Sequence, residues 1–198
     1  MKTDRPTTKI IAGKYKGKVL ELPSLEVTRS SKAMLKESLF NVLQFDIIDK
    51  IFIESFAGSG SIGLEAISRG AKRAYFIELD KNSYQILLRN CKSVDIEKCQ
   101  TVQGNTFVQT PLFIDFLKNS KDEIVLYVDP PFDYRDGMED IYEKSFSMIQ
   151  NIEVDNIYMV IVEHVSSLEV PEILGKFSLN KTKKFGKSAL SYYSYTQE

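Results

Sequence analysis

Runs of unbroken apolar character, Ile51-Phe52-Ile53, Ala74-Tyr75-Phe76-Ile77 and Ile124-Val125-Leu126-Tyr127-Val128, are separated by stretches whose apolar residues recur at helical spacing. Short unbroken runs suit strands buried on both faces, and the intervening periodicity suits amphipathic helices. Read along the chain, the pattern predicts strands over 51–55, 73–77, 99–103, 124–128 and 157–163, and helices near 61–69, 81–94, 106–118 and 138–150. Such alternation implies an α/β protein with a parallel sheet covered on both faces. Ahead of it, 33–43 sets Leu35, Leu39, Phe40, Val42 and Leu43 at near-helical spacing, with Ser30 or Ser31 placed to cap the start.

Both ends of the chain break the rhythm. Segments 9–13 and 18–22 predict two short strands around Lys14-Tyr15-Lys16-Gly17, a basic β-hairpin. Segments 177–185 and 188–195 are separated only by Gly186-Lys187, and a two-residue connection forces an antiparallel hairpin. Tyr192, Tyr193 and Tyr195 lie on the second of these strands and read as packing residues.

With 198 residues, 43% apolar content and only ten Gly and six Pro, the chain has material for one well-buried domain and little for a second large one. No segment approaches the ~20 apolar residues of a membrane span and the first residues lack a signal core, so a cytoplasmic protein is expected. Cys91 and Cys99 form no CxxC or CxxH pattern and His164 is the sole histidine, which argues against a disulfide framework, a zinc site or a histidine triad. Net charge is −1, but residues 1–36 carry nine basic and three acidic side chains, a local +6 that leaves −7 for the rest. A basic extension on an acidic body suits a polyanion, because Lys and Arg release counterions from phosphates; a plain solvated surface is the alternative.

Two motifs sit where predicted strands end. Asp129-Pro130-Pro131-Phe132 follows 124–128 directly. Pro130 restricts Asp129 to an extended conformation, the two prolines remove two donors, and the corner is left rich in acceptors beside an aromatic face. It would hold an amino group of a planar base. The second motif is Glu54-Ser55-Phe56-Ala57-Gly58-Ser59-Gly60-Ser61-Ile62-Gly63 after 51–53, a glycine turn that permits close ligand approach. Twenty residues after Gly58, Glu78 ends 74–77, where a carboxylate can accept from ribose hydroxyls. Together these describe a site for a nucleoside-type cofactor.

Ile10-Ile11-Ala12-Gly13-Lys14-Tyr15-Lys16-Gly17, Leu39-Phe40-Asn41-Val42-Leu43, the stretch from Phe56 to Ala71, Asp129-Pro130-Pro131-Phe132 and Val162-Glu163-His164 occur in an order that closely resembles RsmD-type bacterial 16S ribosomal RNA guanine-N2 methyltransferases. The resemblance covers nearly the whole chain. It implies a Rossmann-like class I methyltransferase fold, with a mostly parallel seven-stranded sheet closed by the C-terminal antiparallel hairpin. A small basic N-terminal β-hairpin (1–30) for RNA contact would precede the methyltransferase domain (31–198). The implied reaction moves a methyl group from S-adenosyl-L-methionine to the exocyclic N2 of one guanine, the guanine-966 type site, of 16S rRNA in the small ribosomal subunit or its late assembly intermediate. No metal and no membrane partner is implied, and a monomer is expected.

By the same resemblance, Glu54, Phe56, Ala57, Gly58, Ser59, Gly60, Glu78 and Asn105 would surround the cofactor. Glu54 would face its methionine ammonium, Glu78 its ribose and Asn105 its adenine amino group. Asp129, Pro130, Pro131 and Phe132 would take the target base, and Lys14, Lys16, Lys18 and Arg29 the RNA phosphates. The chain departs from the family at 27–32, which reads Val-Thr-Arg-Ser-Ser-Lys where relatives have Arg-Pro-Thr-Thr-Asp-Arg. Three other readings stay open: a nicotinamide-dependent oxidoreductase, since Gly58 to Gly63 satisfies GxGxxG; methyl transfer to an adenine or a protein glutamine; and a non-catalytic RNA-binding assembly factor.

Overall fold

In chain order the elements are β1 (Thr7–Lys9), β2 (Val19–Glu21), α1 (Arg29–Val42), β3 (Ile51–Ser55), α2 (Ser61–Ser68), β4 (Arg73–Glu78), α3 (Lys81–Val94), β5 (Cys99–Gln103), α4 (Thr106–Leu117), β6 (Ile124–Val128), α5 (Ile141–Gln150), β7 (Ile157–Val165), β8 (Ile173–Leu174), β9 (Phe177–Phe185) and β10 (Ser188–Tyr195). The computed structural model describes residues 6–23, 29–131 and 140–196, with backbone alone for 29–32.

Strands β3 to β10 assemble into one sheet in the order β5-β4-β3-β6-β7-β10-β9-β8, and β1 and β2 pair separately. Pairs β5-β4, β4-β3, β3-β6 and β6-β7 are parallel, whereas β10 runs antiparallel to both β7 and β9. This is the Rossmann-like arrangement with an antiparallel C-terminal pair. Among the described residues the sheet has eight strands and not the expected seven, because the two-residue β8 adds to the start of β9. A strand of that length carries no period for a pattern to show.

Because β3 and β6 are covered on both sides, every residue in them is buried. Leu35, Leu39 and Phe40 of α1, with Leu43 just after it, join Leu64 and Ile67 of α2, Leu87 of α3 and the Phe52, Phe76, Tyr127 and Tyr192 rings in a core on one face. Ile114 and Leu117 of α4, with Met148 and Ile149 of α5, close the other face over Ile53, Ile77, Leu126 and Val162. Tyr192 and Tyr193 are both buried and point into opposite cores, as alternation on a strand requires.

Two sequence expectations shift. Helix α1 begins at Arg29, so Ser30 and Ser31 lie inside it and do not cap it. The N-terminal hairpin pairs Thr7–Lys9 with Val19–Glu21, outside most of 9–13. The reason is that Ile11 and Ala12 turn their N–H groups away from the ladder, to Glu65 Oε2 at 2.7 Å and Oε1 at 3.0 Å. Ser68 completes the dock, its carbonyl accepting from Lys14 N at 2.8 Å and its hydroxyl from Tyr15 N at 2.9 Å. Gly13 permits this approach: it holds φ 81°, and a Cβ there would come within 1.9 Å of Ser68 O. The hairpin is therefore a packed layer on α2, with Ile10 and Leu20 buried in the main core. Among the described residues no helix is long and apolar enough to cross a membrane.

Candidate active site

From β3 the sheet grows one way through β4 and β5, and from β6 the other way through β7. Where the direction reverses, the connections after neighbouring strands diverge and leave a crevice at the carboxyl ends. Four segments form its rim: the loop after β3, Glu78 at the end of β4, Gly104-Asn105 after β5, and Asp129-Pro130-Pro131 after β6. Asp129 N donates to Ser55 O at 3.3 Å, so the proline corner and the glycine loop share an anchor at the switch point.

The loop after β3 is tightly wound. Phe56, Gly58 and Gly60 have φ of 63°, 55° and 74°, while Ala57 N donates to Ile77 O at 2.8 Å and Gly60 N to Ala57 O at 2.7 Å. A Cβ on Gly60 would sit 2.4 Å from Leu87 Cδ1, whereas one on Gly58 would meet no atom within 4 Å. Gly60 is thus needed for packing, and Gly58 faces open space. Ser59 is buried between them.

Glu78 bridges the rim. Its carboxylate accepts from Gly58 N and from Asp80 N, each at 2.7 Å. Burial raises its pKa above the ordinary glutamate value, against the lowering effect of those two bonds. Next to it, Leu79 is a large apolar side chain left exposed. Across the rim Asn105 caps α4, its side chain accepting from Phe107 N at 2.9 Å. Phe107 meets Phe56 edge-on with ring centroids 5.7 Å apart.

Glu54 lies beneath the rim, 3% exposed, and its Oε2 accepts from Gly63 N at 2.8 Å. The residue at the N-cap position of α2 is Gly60, which has no side chain to offer, so a carboxylate from the neighbouring strand satisfies the helix end instead. One oxygen of Glu54 is therefore committed to the helix. Under the proline corner Tyr127 OH donates to Glu163 Oε2. Burial first, then the Glu163 and Asp129 carboxylates, push the Tyr127 phenol well above its usual range. Asp129 is half-buried and Pro130 buried.

The structure brings Phe56, Ala57, Gly58, Ser59, Gly60, Glu78, Asn105, Asp129, Pro130 and Pro131 to this one rim, with Glu54 beneath it. Phe132 lies outside the described residues, as does the side chain of Arg29. Lys14, Lys16 and Lys18 are exposed on the docked hairpin. Sequence reasoning did not single out Leu79, Phe107, Tyr127 or Asn90. Leu79 had a signal, an apolar residue following a rim carboxylate, whereas Asn90 and Tyr127 acquire meaning only from what they touch.

His164 lies near the carboxyl end of β7, two residues past Val162, which pairs with Val128 of β6. Its Nδ1 lies 2.9 Å from Val165 O and its Nε2 2.8 Å from Ser191 Oγ. The carbonyl can only accept, so Nδ1 carries the hydrogen and Nε2 accepts from Ser191. Burial lowers the His164 pKa, and the Lys184 charge adds to that effect. Nε2 thus ties β7 to Ser191 of β10, while Nδ1 bonds within β7.

A switch-point crevice with a glycine loop, a carboxylate at the end of the next strand and an antiparallel β10 inserted beside β7 defines the class I methyltransferase architecture. Within that class, the family model described as "Conserved hypothetical protein 95" matches residues 8–194, and the chain belongs to this family of RsmD-type methyltransferases. It is 38% identical over 129 residues to ribosomal RNA small subunit methyltransferase D of Haemophilus influenzae, a match spanning 64% of each chain. The protein of that name from Escherichia coli strain K12 is 29% identical over 187 residues, covering 93% of this chain and 88% of its own. The solved structure of the methyltransferase yhhF from Escherichia coli superposes with a TM-score of 0.73 at 28% identity, covering 98% of this chain and all of the other.

Proposed function

We propose that this protein transfers a methyl group from S-adenosylmethionine to the exocyclic N2 of a guanine in 16S rRNA. The observation that carries the reading is the stitch between Asp129 and Ser55, which sets an acceptor-rich corner for a base amino group directly beside a nucleoside-type loop. The relatives named as ribosomal RNA small subunit methyltransferases support the RNA substrate.

The residues present fit the cofactor. Gly58 opens on space that a Cβ would enter, Glu78 has a carboxylate at the end of β4, and Leu79 offers an exposed apolar surface beside it. Glu78 would accept from the ribose hydroxyls, Leu79 and Phe107 would flank the adenine, and Asn105 would accept from its amino group. Bound there, S-adenosylmethionine supplies an activated methyl group on a sulfonium. The protein's share is positioning and electrostatics. Asp129 and the Pro130 carbonyl accept the guanine amino hydrogens, which turns the N2 lone pair toward the glycine loop and weakens its delocalisation into the ring. The surplus proton then leaves to the Asp129 carboxylate or to solvent. Phe132 stacks on the base, which must first leave its own stack.

Lys14, Lys16 and Lys18, with Arg29, bind phosphates around the target, so that 1–30 acts as the RNA-contacting unit of the 31–198 enzyme domain. The substrate is the small ribosomal subunit or its late assembly intermediate, and the enzyme works as a monomer in the bacterial cytoplasm. The test is transfer of labelled methyl from S-adenosylmethionine to unmodified small subunits and to naked 16S rRNA, followed by nucleoside analysis. Label in N2-methylguanosine that is lost in Asp129→Ala is expected. Label in another nucleoside, or undiminished label in the variant, refutes the assignment.

A further inference from the structure

Asn90 is a polar residue on the inner side of α3, 2% exposed. Its Oδ1 accepts from Glu21 N at 2.9 Å, while Nδ2 donates to Glu21 O and to Ser59 O, each at 2.9 Å. Flipping the amide would set Nδ2 against an N–H group and the oxygen against two carbonyls, so the network admits one orientation. Glu21 is the last residue of β2, in the docked hairpin, and Ser59 sits between the two left-handed glycines of the loop after β3. One side chain therefore joins the basic hairpin to the glycine loop. Leu87, one turn earlier on α3, packs against Gly60, and Arg89 holds the Glu21 carboxylate at 2.9 Å from the exposed side.

We infer that Asn90 is a positioning residue for the cofactor loop and couples that loop to the hairpin, so that RNA on the hairpin and cofactor in the loop strengthen each other's binding. The identity of the two ligands rests on the function proposed above. A glycine-rich loop loses much conformational freedom when it is fixed for a ligand. The Ser59 bond meets part of that cost in advance, but only while Asn90 is held by Glu21. If the hairpin lifts away, Asn90 loses two of its three bonds to solvent and its amide is no longer fixed against Ser59 O. Order in the hairpin and order in the loop thus rise and fall together, and linkage makes the effect reciprocal.

S-adenosylhomocysteine binding by calorimetry tests this on the full chain. Asn90→Leu is expected to weaken binding about tenfold, within the usual range for coupled sites, while kcat at saturating S-adenosylmethionine stays close to that of the native protein. Arg89→Ala removes only a solvent-exposed contact to the same Glu21 and is expected to weaken affinity far less than Asn90→Leu. Unmodified small subunits should tighten S-adenosylhomocysteine binding in the native protein and not in Asn90→Leu. Native-like affinity in Asn90→Leu, or equal tightening in both proteins, overturns the inference. Should Asn90→Leu not fold, amide exchange on the native protein decides. S-adenosylhomocysteine is expected to slow exchange at Glu21 and Leu22 as well as at 57–60, and slowing confined to the loop sinks the link alone. A native protein that binds no S-adenosylhomocysteine sinks the functional reading with it.

Discussion

Replacing Glu65 by alanine should undock the N-terminal hairpin. The Glu65 carboxylate is fully buried and accepts from Ile11 N at 2.7 Å, Ala12 N at 3.0 Å and Arg69 Nε at 2.8 Å, with Lys36 Nζ 3.5 Å away. Lys36 is itself buried, and that burial already lowers its pKa, with Glu65 opposing the effect. Each charged hydrogen bond to the half-buried N–H groups is worth about 1.5 kcal/mol net, since water replaces part of it. Stripping a buried cation of its partner adds about 3 kcal/mol, of which the remaining Lys36 bond to Lys9 O recovers some. A total near 5 kcal/mol follows, or a fall of about 10–20 °C in melting temperature for a chain of this size. Glu65→Gln keeps one acceptor oxygen and should cost about half as much. Thermal unfolding by circular dichroism gives the magnitude, and amide exchange at Ile11 and Ala12 gives the place. An alanine variant that melts within about 2 °C of the native protein, or a glutamine variant that costs more than alanine, would show that water substitutes for this network and refute the reasoning.

His164 is held neutral by burial, its folded pKa lying below the unfolded one, so its stabilising effect is full above the unfolded value and declines as pH falls through the folded pKa. Denaturant midpoints at pH 7.5 and 5.5 should show a loss on acidification that His164→Gln reduces; an equal loss in both would place the effect elsewhere. Glu78 has a raised pKa in the free protein, yet ribose hydroxyls need its ionised form. S-adenosylhomocysteine affinity should therefore begin to fall, on lowering the pH, above the range where an ordinary glutamate titrates, and Glu78→Gln should bind weakly with a flat profile; a native profile flat down to that range contradicts this. Changing Lys14, Lys16 and Lys18 together to alanine should weaken RNA binding and flatten its salt dependence, because fewer counterions are released. A filter-binding salt series with an unchanged slope would return these lysines to plain surface.

The parallel sheet was legible because Ile51–Ser55 and Ile124–Val128 are buried on both faces and so carry no polar interruption. The rim was legible for the same reason, since the residues that follow a buried strand in this architecture face the crevice. Asp129 and Glu78 could be placed by counting. Glu65 could not, although a lone carboxylate among Leu64, Ala66 and Ile67 was a visible anomaly, because the amides it docks are more than fifty positions away. The hairpin bounds failed on the same contact, and Asn90 escaped notice since an asparagine on a helix looks like any polar surface residue. Alternation reports which face of an element is dry. It says nothing of which distant amide a buried polar group will meet.

The place of β10 in the sheet also bears on how the protein is made. During synthesis β7 emerges with one side unpaired, and its neighbour there is supplied only after Ser188–Tyr195 has left the ribosome. The partner of β10 in the meantime is β9, joined to it by the two-residue turn Gly186-Lys187, and such a hairpin closes in microseconds on its own. The central position is thus filled by docking a ready-made pair sideways onto β7, with no need to thread a strand between two others. Until that happens β7 carries an exposed sheet edge, the stage at which a nascent chain is most open to aggregation.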